Sequence, residues 1–179
     1  MKNLQTVYFG GGCFWCVEAV FLNIKGVDKA ASGFIDGHLD NPTYRDVCTG
    51  FSGHNEVIEL VYDSEVVSFK NLLYVFFTSH DPTTLNRQGN DVGTQYRSGI
   101  YCTTEEQLNA SQSFIKEEAS QIWDNNIVTE VKPASKFFPA DEYHNDYYNN
   151  NRDQGYCRIV IEPKVNKVKE KFKHLLKNG

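Results

Sequence analysis

Two cysteines stand three residues apart near the start of the chain, directly after three glycines. Cys13 and Cys16 belong to the run YFGGGCFWC, residues 8–16. Glycines between a strand and a helix allow a tight turn and let a ligand approach the backbone closely. Amide groups at a helix N-terminus stabilise a thiolate, and cysteine pKa values there fall to roughly 3.5–7.5. Cys13 is therefore a candidate nucleophile, with Phe14 and Trp15 as an apolar wall for a small substrate group.

Other interpretations of the same run stay open. A zinc site would need two further ligands at suitable spacing, whereas the five histidines stand apart from one another. A dithiol oxidoreductase working through Cys13 and Cys16 is possible, as is a non-catalytic domain that senses redox state or binds peptides. In the plainest alternative, Cys13 is a buried helix residue and the aromatics are core. The glycine turn and the two bulky aromatics favour a substrate pocket.

A carboxylate enters an apolar segment in the run GHNEVIEL, residues 53–60. If Glu56 is buried there, its pKa rises and it can act as a general acid. An exposed carboxylate on an alternating strand is the other interpretation. Two tyrosines lie in polar, turn-rich segments: Tyr44 in NPTYR, residues 41–45, and Tyr96 in the loop 89–98. Each could donate a hydroxyl hydrogen bond, and each could equally be a packing residue.

The elements that must position these residues follow from hydrophobic periodicity. One helix is predicted from the three glycines to a stop at Gly26, and a second over 69–77 with Ser68 as its cap. A third is predicted to start at a capping box of Thr103 and Glu106 and to run towards Trp123. A fourth is predicted over the lysine-rich segment 165–175. Strands are predicted over 6–9, 55–62, 98–102, 127–132 and 158–162. Loosely alternating strands and helices, with some strands half exposed, predict a mixed or antiparallel sheet with helices packed on it.

Composition limits the class of protein. The 179 residues are expected to form one domain, 1–179, large enough to fold without structural disulfides. Eighteen basic and twenty-three acidic residues give a net charge of −5, which argues against general nucleic-acid binding. No apolar run approaches the roughly 20 residues of a membrane span. With no secretory signal visible and an odd number of cysteines, we expect a cytoplasmic monomer with free thiols.

The motifs together resemble the A class of peptide methionine sulfoxide reductases. The matching segments run in order along nearly the whole chain: GCFW at 12–15, NPTYR at 41–45, GHNE at 53–56, HDPT at 80–83, RQGND and GTQYRS within 87–98, YH at 143–144 and GYC at 155–157. The resemblance implies an α+β fold, a two-layer sandwich with a mixed sheet and flanking helices, akin to ferredoxin-like folds. It also implies reduction of methionine S-sulfoxide, free or in oxidised proteins and peptides, without a metal or organic cofactor.

Roles for single residues are implied by the same resemblance. Cys13 is the nucleophile that attacks the sulfoxide sulfur, and Glu56 is the acid. The sulfenic acid left on Cys13 condenses with a second thiol, which in this family commonly lies in a Gly-Tyr-Cys segment, here ending at Cys157. Thioredoxin then reduces the disulfide. The resemblance also implies that the sulfoxide oxygen is held by Tyr44, Tyr96 and Asp91. The methyl group of the substrate is expected to lie against Phe14 and Trp15.

Two departures from the family pattern concern the resolving step. Cys16 stands where the family usually has glycine, and residues three apart on a helix share a face. Cys16 is therefore either an additional redox thiol or an inert small residue. Arg152 stands where a proline often occurs, within an asparagine-rich run at 149–154. That run predicts a flexible tail over 146–179, carrying Cys157 and a terminal amphipathic helix.

Overall fold

A computed structural model describes residues 2–124 and 126–177. Met1, Asn125, Asn178 and Gly179, which the one-domain prediction includes, lie outside the described residues. The strands are Leu4–Gly10 (β1), Val27–Ile35 (β2), Asn55–Asp63 (β3), Arg87–Gln88 (β4), Asp91–Val92 (β5), Gly99–Cys102 (β6), Glu130–Pro133 (β7) and Phe138–Pro139 (β8). The α-helices are Phe14–Phe21 (α1), Tyr44–Cys48 (α2), Phe69–Ser79 (α3), Glu105–Phe114 (α4), Ser120–Ile122 (α5), Tyr147–Asn150 (α6) and Glu162–Lys171 (α7).

Six strands form one mixed sheet in the order β7-β6-β1-β3-β2-β8. The β6–β7 pair is parallel and every other neighbouring pair in this sheet is antiparallel. The two short strands β4 and β5 pair separately as a hairpin. Helices α1, α3 and α7 pack against one another. The predicted α+β class, a mixed sheet with flanking helices, is confirmed.

Side chains on the two faces of the sheet enter different clusters. Val7 and Phe9 of β1 lie in the main core together with the helices, whereas Tyr8 between them packs on a small cluster at the opposite face. That second cluster is covered by the segment after β7, including Phe137. This alternation follows from the two-residue period of a strand. The helices and the site-bearing loops therefore share one face.

The junction of β1 and α1 depends on its glycines. A Cβ atom on Gly10 would lie 2.5 Å from Asn55 Nδ2, so β3 can approach this closely only because no side chain is present. Gly12 has φ +92°, a conformation that residues with side chains rarely adopt, and a Cβ there would lie 2.6 Å from Gln88 Cγ. The chain can therefore turn directly from the strand into the helix that carries the cysteines.

Most predicted strands are found. Residues 6–9 lie within β1 and residues 55–62 within β3, while β6 starts one residue inside the predicted 98–102. In the segment 127–132, sheet pairing starts only at Glu130. Strand β2 carries no clear alternation, since its last four residues are all buried, and the sequence did not predict it.

The prediction of a strand over 158–162 is wrong. The segment Cys157–Ile161 is a π-helical turn that leads directly into α7. Its buried residues Cys157 and Ile161 continue the helical spacing of Val165 and Val168. A short apolar run cannot be assigned to strand or helix by periodicity alone, and here packing against the core selects the helix.

Of two predicted helix caps, one is found and the other lies one residue further along the chain. The Ser68 hydroxyl accepts an N–H from the first turn of α3, as predicted. The capping box of Thr103 and Glu106 is wrong by one residue, because Thr104 is the cap and accepts the N–H of Gln107 at 3.1 Å. Helix α1 ends well before the predicted stop. In the described ranges, no helix has both the length and the apolar content to cross a membrane.

Candidate active site

Cys13 occupies the N-cap of α1, where the sequence placed it. Its carbonyl oxygen accepts the N–H of Cys16 at 3.0 Å, which turns the chain into the helix. Burial raises the pKa of the Cys13 thiol, and the neighbouring Cys16 and Glu56 raise it further. The neighbouring Cys13 thiol lowers the pKa of Cys16 to about 7. The lowered pKa that the sequence predicted for Cys13 at this helix N-terminus is therefore wrong for the resting structure, in which Cys16 has the lowered pKa and burial opposes ionisation of Cys13.

Glu56 lies on β3 and is fully buried, so the interpretation of an exposed carboxylate is wrong. Its Oε1 accepts the backbone N–H of Phe14 at 3.2 Å, an amide in the first turn of α1. Its Oε2 is buried and has no hydrogen-bond partner among the residues described. Burial raises the pKa of Glu56 to about 8, and the negative charges of Asp91 and Cys16 add to the rise. The carboxyl is therefore mostly protonated at neutral pH.

An aromatic cluster surrounds the first turn of α1. Phe14 is fully buried, and its ring lies 6.0 Å from the Tyr44 ring in a stacked arrangement. Trp15 is half-buried, and its Nε1–H donates to Nδ1 of His144 at 3.1 Å. The Tyr147 ring stacks on the indole with centroids 3.8 Å apart and an angle of 8°. The wall predicted from Phe14 and Trp15 thus includes two residues from the C-terminal part of the chain.

The two tyrosines singled out in the sequence reach the same region from different loops. Tyr44 begins the short helix α2, which Thr43 caps by accepting the N–H of Asp46 at 3.1 Å. Tyr96 ends the 3-10 turn before β6. Burial raises the pKa of both phenols, and the nearby negative charge of Glu56 raises it further. Both hydroxyls therefore remain protonated donors.

Arg97 fixes the turn that carries Tyr96. It donates to the Thr94 carbonyl oxygen at 2.7 Å, to Asp36 Oδ2 at 3.1 Å and to Glu130 Oε1 at 2.9 Å. The guanidinium is mostly buried, so these charge-assisted bonds compensate its desolvation. The turn is therefore tied to the residue that follows β2 and to the first residue of β7.

Asp91 lies beside the cysteines but is engaged by the C-terminal segment. The Tyr156 hydroxyl donates to Asp91 Oδ2 at 2.7 Å, and its oxygen lies 3.8 Å from Cys16 Sγ. The Tyr156 ring meets the Trp15 indole edge-on, with centroids 6.0 Å apart. The residue just before Cys157 is thus part of the site, although the sequence identified it only as part of a motif.

Cys157 is a free, fully buried thiol at the start of its π-helical turn. Burial raises its pKa, and the negative charge of Cys16 contributes to the rise. Residues 146–177 form helices and turns packed on the rest of the chain. The predicted flexibility of this tail stays a prediction. In the part of the chain that the structure describes, no group of three or more His, Cys, Asp or Glu residues is arranged to hold a metal ion.

Three further residues of this region had no assigned role in the sequence: His144, Tyr147 and Glu18. His144 stands 129 positions after Trp15, and Tyr147 stands 129 positions after Glu18. No local pattern connects residues so far apart. The motif YH was a signal for His144, but its hydrogen bond to the indole could not be predicted from it.

The family model for peptide methionine sulfoxide reductase matches residues 5–176. The chain belongs to this family. A curated relative named peptide methionine sulfoxide reductase MsrA, from Acinetobacter baumannii, is 53% identical over 175 residues, which are 98% of this chain and 100% of the relative. The chain is thus an oxidoreductase, a peptide-methionine (S)-S-oxide reductase.

Solved structures of the same family share the fold. The crystal structure of Mxr1 from Saccharomyces cerevisiae in reduced form has a TM-score of 0.80 and 31% identity, covering 87% of this chain and 90% of that one. A crystal structure of Mxr1 in complex with Trx2 has a TM-score of 0.56 and 23% identity, covering 82% of this chain and 85% of that one. At that identity the second likeness concerns the fold alone.

Proposed function

We propose that this reductase transfers the sulfoxide oxygen of methionine S-sulfoxide to Cys13, with Glu56 as the proton donor. The observation that carries the proposal is the buried Glu56 carboxyl. One oxygen is fixed on the amide that follows Cys13, and the other is free to donate. A pKa of about 8 keeps its proton available at neutral pH. A sulfoxide sulfur becomes a good electrophile only when its oxygen is protonated or strongly hydrogen-bonded.

The proposed reductive step balances as an oxygen transfer. The Cys13 sulfur forms a bond to the sulfoxide sulfur while Glu56 donates a proton to the sulfoxide oxygen, and the thiol proton of Cys13 replaces the one that Glu56 gives up. The resulting hydroxyl group then moves from the substrate sulfur to the Cys13 sulfur, as the sulfur–oxygen bond of the substrate and the transient sulfur–sulfur bond break. Methionine leaves with its sulfur reduced by two electrons, and Cys13, now a sulfenic acid, is oxidised by the same two electrons.

The surrounding side chains are suited to hold a methyl sulfoxide in place. We assign the oxygen to the hydroxyls of Tyr44 and Tyr96, and the methyl group to the wall formed by Phe14 and Trp15. Asp91 is assigned to substrate binding as a hydrogen-bond acceptor. Support comes from the raised pKa of each phenol, which keeps it a hydrogen-bond donor. The stacking of Tyr44 on both wall residues supports the common location. The same pocket is proposed to take free methionine sulfoxide and oxidised residues in proteins and peptides, as a repair activity.

We propose that Cys157 resolves the sulfenic acid. Its thiol attacks Cys13, a disulfide forms and water leaves. The contact of the adjacent Tyr156 with Cys16 Sγ supports this, because it holds the segment of Cys157 next to the pair of cysteines. It requires local movement, since Cys157 is buried. Cys16 is the alternative resolving thiol.

The disulfide is then proposed to be reduced by thioredoxin through thiol–disulfide exchange. The complex of yeast Mxr1 with Trx2 suggests the partner, and the case for this chain rests on its thiols. The described cysteines are all free, which suits a reducing cytoplasm. Most large exposed apolar side chains stand on separate segments, which suits a monomer.

One experiment tests the reaction without any partner. Fully reduced protein is mixed with racemic methionine sulfoxide and no external reductant, and methionine, remaining epimer and joined cysteines are measured. We expect about one methionine per chain, loss of the S epimer only and a disulfide between Cys13 and Cys157. A disulfide between Cys13 and Cys16 would identify Cys16, and not Cys157, as the resolving thiol. Absence of methionine from protein with free thiols would contradict the proposed reaction, and Cys13→Ser provides the blank.

A further inference from the structure

A second buried carboxyl lies on α1, five residues after Cys13. Glu18 is 1% exposed, and burial raises its pKa to about 8. Its Oε1 accepts the backbone N–H of Tyr147 at 3.3 Å, while Oε2 has no partner in the described part of the chain. The reaction proposed above does not use this group. Burying a carboxyl with an unpaired oxygen costs stability. A role for Glu18 is therefore sought in the one hydrogen bond that it accepts.

Glu18 fixes an unusual piece of backbone. Asp146, just before Tyr147, has φ +51°, in the left-handed region that residues other than glycine seldom adopt. The backbone N–H of Tyr147, the next residue, points at the Glu18 carboxyl and opposes the rise of its pKa. The carboxyl therefore accepts a hydrogen bond from the first residue of α6, directly after this turn of the chain.

The residue held by Glu18 is the one that covers Trp15. The Tyr147 ring lies flat on the indole at 3.8 Å, the shortest of the aromatic pairs in the described structure. Glu18 and Trp15 are three residues apart on α1 and so lie on the same face. Tyr147 is thus attached to one face of α1 twice, by its backbone at Glu18 and by its ring at Trp15.

The indole is held by the same segment at a second point. Trp15 Nε1–H donates to Nδ1 of His144, three residues before Tyr147. One segment, residues 144–147, therefore sets both the face and the edge of the ring. Tyr147 makes the nearest of the ring contacts to the indole, so we expect the ring to gain freedom to tilt when Tyr147 is displaced.

We propose that Glu18 is a positioning residue for the sulfoxide pocket. It anchors the backbone of Tyr147, whose ring holds the Trp15 indole in the orientation that receives the substrate methyl group. The proposal rests on the proposed function for its effect on substrate binding. The anchoring itself is a statement about Glu18, Tyr147 and Trp15 that can be tested without substrate.

The test uses Trp123→Phe protein, in which Trp15 is the only tryptophan, since the chain has two. Into this parent we introduce Glu18→Ala and Glu18→Gln. The alanine variant is expected to raise the KM for N-acetylmethionine sulfoxide about five- to tenfold, the effect of one buried hydrogen bond, with kcat changed less than twofold. Acrylamide should quench its Trp15 fluorescence more strongly. The glutamine variant should match the parent, because its amide oxygen can accept the same N–H.

Two controls separate this role from general stability. Gln107 is also buried and hydrogen-bonded, to Thr6 on β1 and Tyr62 on β3. Gln107→Ala should lower the thermal midpoint without changing KM or quenching. In Tyr147→Ala protein, adding Glu18→Ala should raise KM no further.

Some results would overturn the proposal. If Glu18→Ala lowers only the thermal midpoint, with parental quenching and KM, Glu18 is merely structural. If the effects of Glu18→Ala and Tyr147→Ala on KM multiply, Glu18 does not act through Tyr147. Should the parent reduce no sulfoxide, the proposed function fails, while the quenching comparison still decides whether Glu18 holds Tyr147 on the indole.

Discussion

Replacing Glu56 with glutamine tests the proposed acid directly. The side chain keeps its shape, and its amide oxygen can still accept the Phe14 N–H that Glu56 accepts at 3.2 Å. What is lost is the proton on the second oxygen, which has no partner in the described structure. The variant therefore separates proton donation from packing and from the position of α1.

The magnitude follows from the raised pKa of Glu56. With a pKa of about 8, the carboxyl holds its proton in about nine of ten molecules at pH 7, whereas an ordinary glutamate does so in roughly one of 500. A well-placed general acid contributes about 10²- to 10⁴-fold to a rate. We expect Glu56→Gln to slow methionine release by at least about 10²-fold, with little change in the substrate concentration that gives half the maximal rate.

The assay is a single turnover of reduced enzyme, quenched at short times and analysed for methionine. Glu59→Gln is the matched control, because Glu59 lies on the same strand and pairs with Lys29 at 2.7 Å outside the pocket. It should react at the wild-type rate. In wild type the rate should fall as pH rises through about 8, since Glu56 loses its proton there. A Glu56→Gln rate within about threefold of wild type would refute the assignment of the acid.

The remaining predictions concern other parts of the site. Cys157→Ser should still release about one methionine per chain and then stall with thioredoxin, whereas Cys16→Ser should continue; steady turnover by the Cys157 variant would exclude it as the resolving thiol. Tyr44→Phe and Tyr96→Phe should each lower kcat/KM about five- to fifteenfold, by one hydrogen bond, and an unchanged value would remove that tyrosine from oxygen binding. The folded-state pKa of Glu56 is raised, so its stabilising effect is present below the unfolded-state pKa and is lost as pH rises through about 8. The thermal midpoint of Glu56→Gln relative to wild type should therefore increase from pH 5 to pH 9, and a constant difference would contradict the burial argument.

Much of the site could be predicted because its chemistry is concentrated in short segments. The glycine turn, Cys13 and the two aromatics stand together in one run, so their placement at the start of α1 follows from local rules. The role of Glu56 could not be assigned from its segment alone, since the pattern allowed an exposed and a buried carboxylate equally. Burial under α1 decided between them. Tyr44 and Tyr96 were assigned to the site only through the family resemblance, because neither tyrosine by itself could be distinguished from a packing residue.

What the sequence did not reveal depends on contacts between distant segments. Strand β2 ends in consecutive buried residues, because β3 and β8 pair with its two edges there and both of its faces are covered. No alternation of buried and exposed residues therefore marks this strand in the sequence. The run after Cys157 is apolar in a way that fits a strand as well as a helix. The contact of Glu18 with Tyr147 joins two segments far apart along the chain. In each case the neighbour decides the outcome, and periodicity contains no information about the neighbour.

The hydrogen bond between Tyr156 and Asp91 has a consequence for the timing of the catalytic cycle. While Tyr156 donates to Asp91 Oδ2, that oxygen is occupied and the chain leading to Cys157 stays in place. If Cys157 is the resolving thiol, as proposed, this hydrogen bond must break before its sulfur can reach Cys13. The lifetime of one hydrogen bond to a carboxylate then sets part of the delay between oxidation of Cys13 and formation of the disulfide.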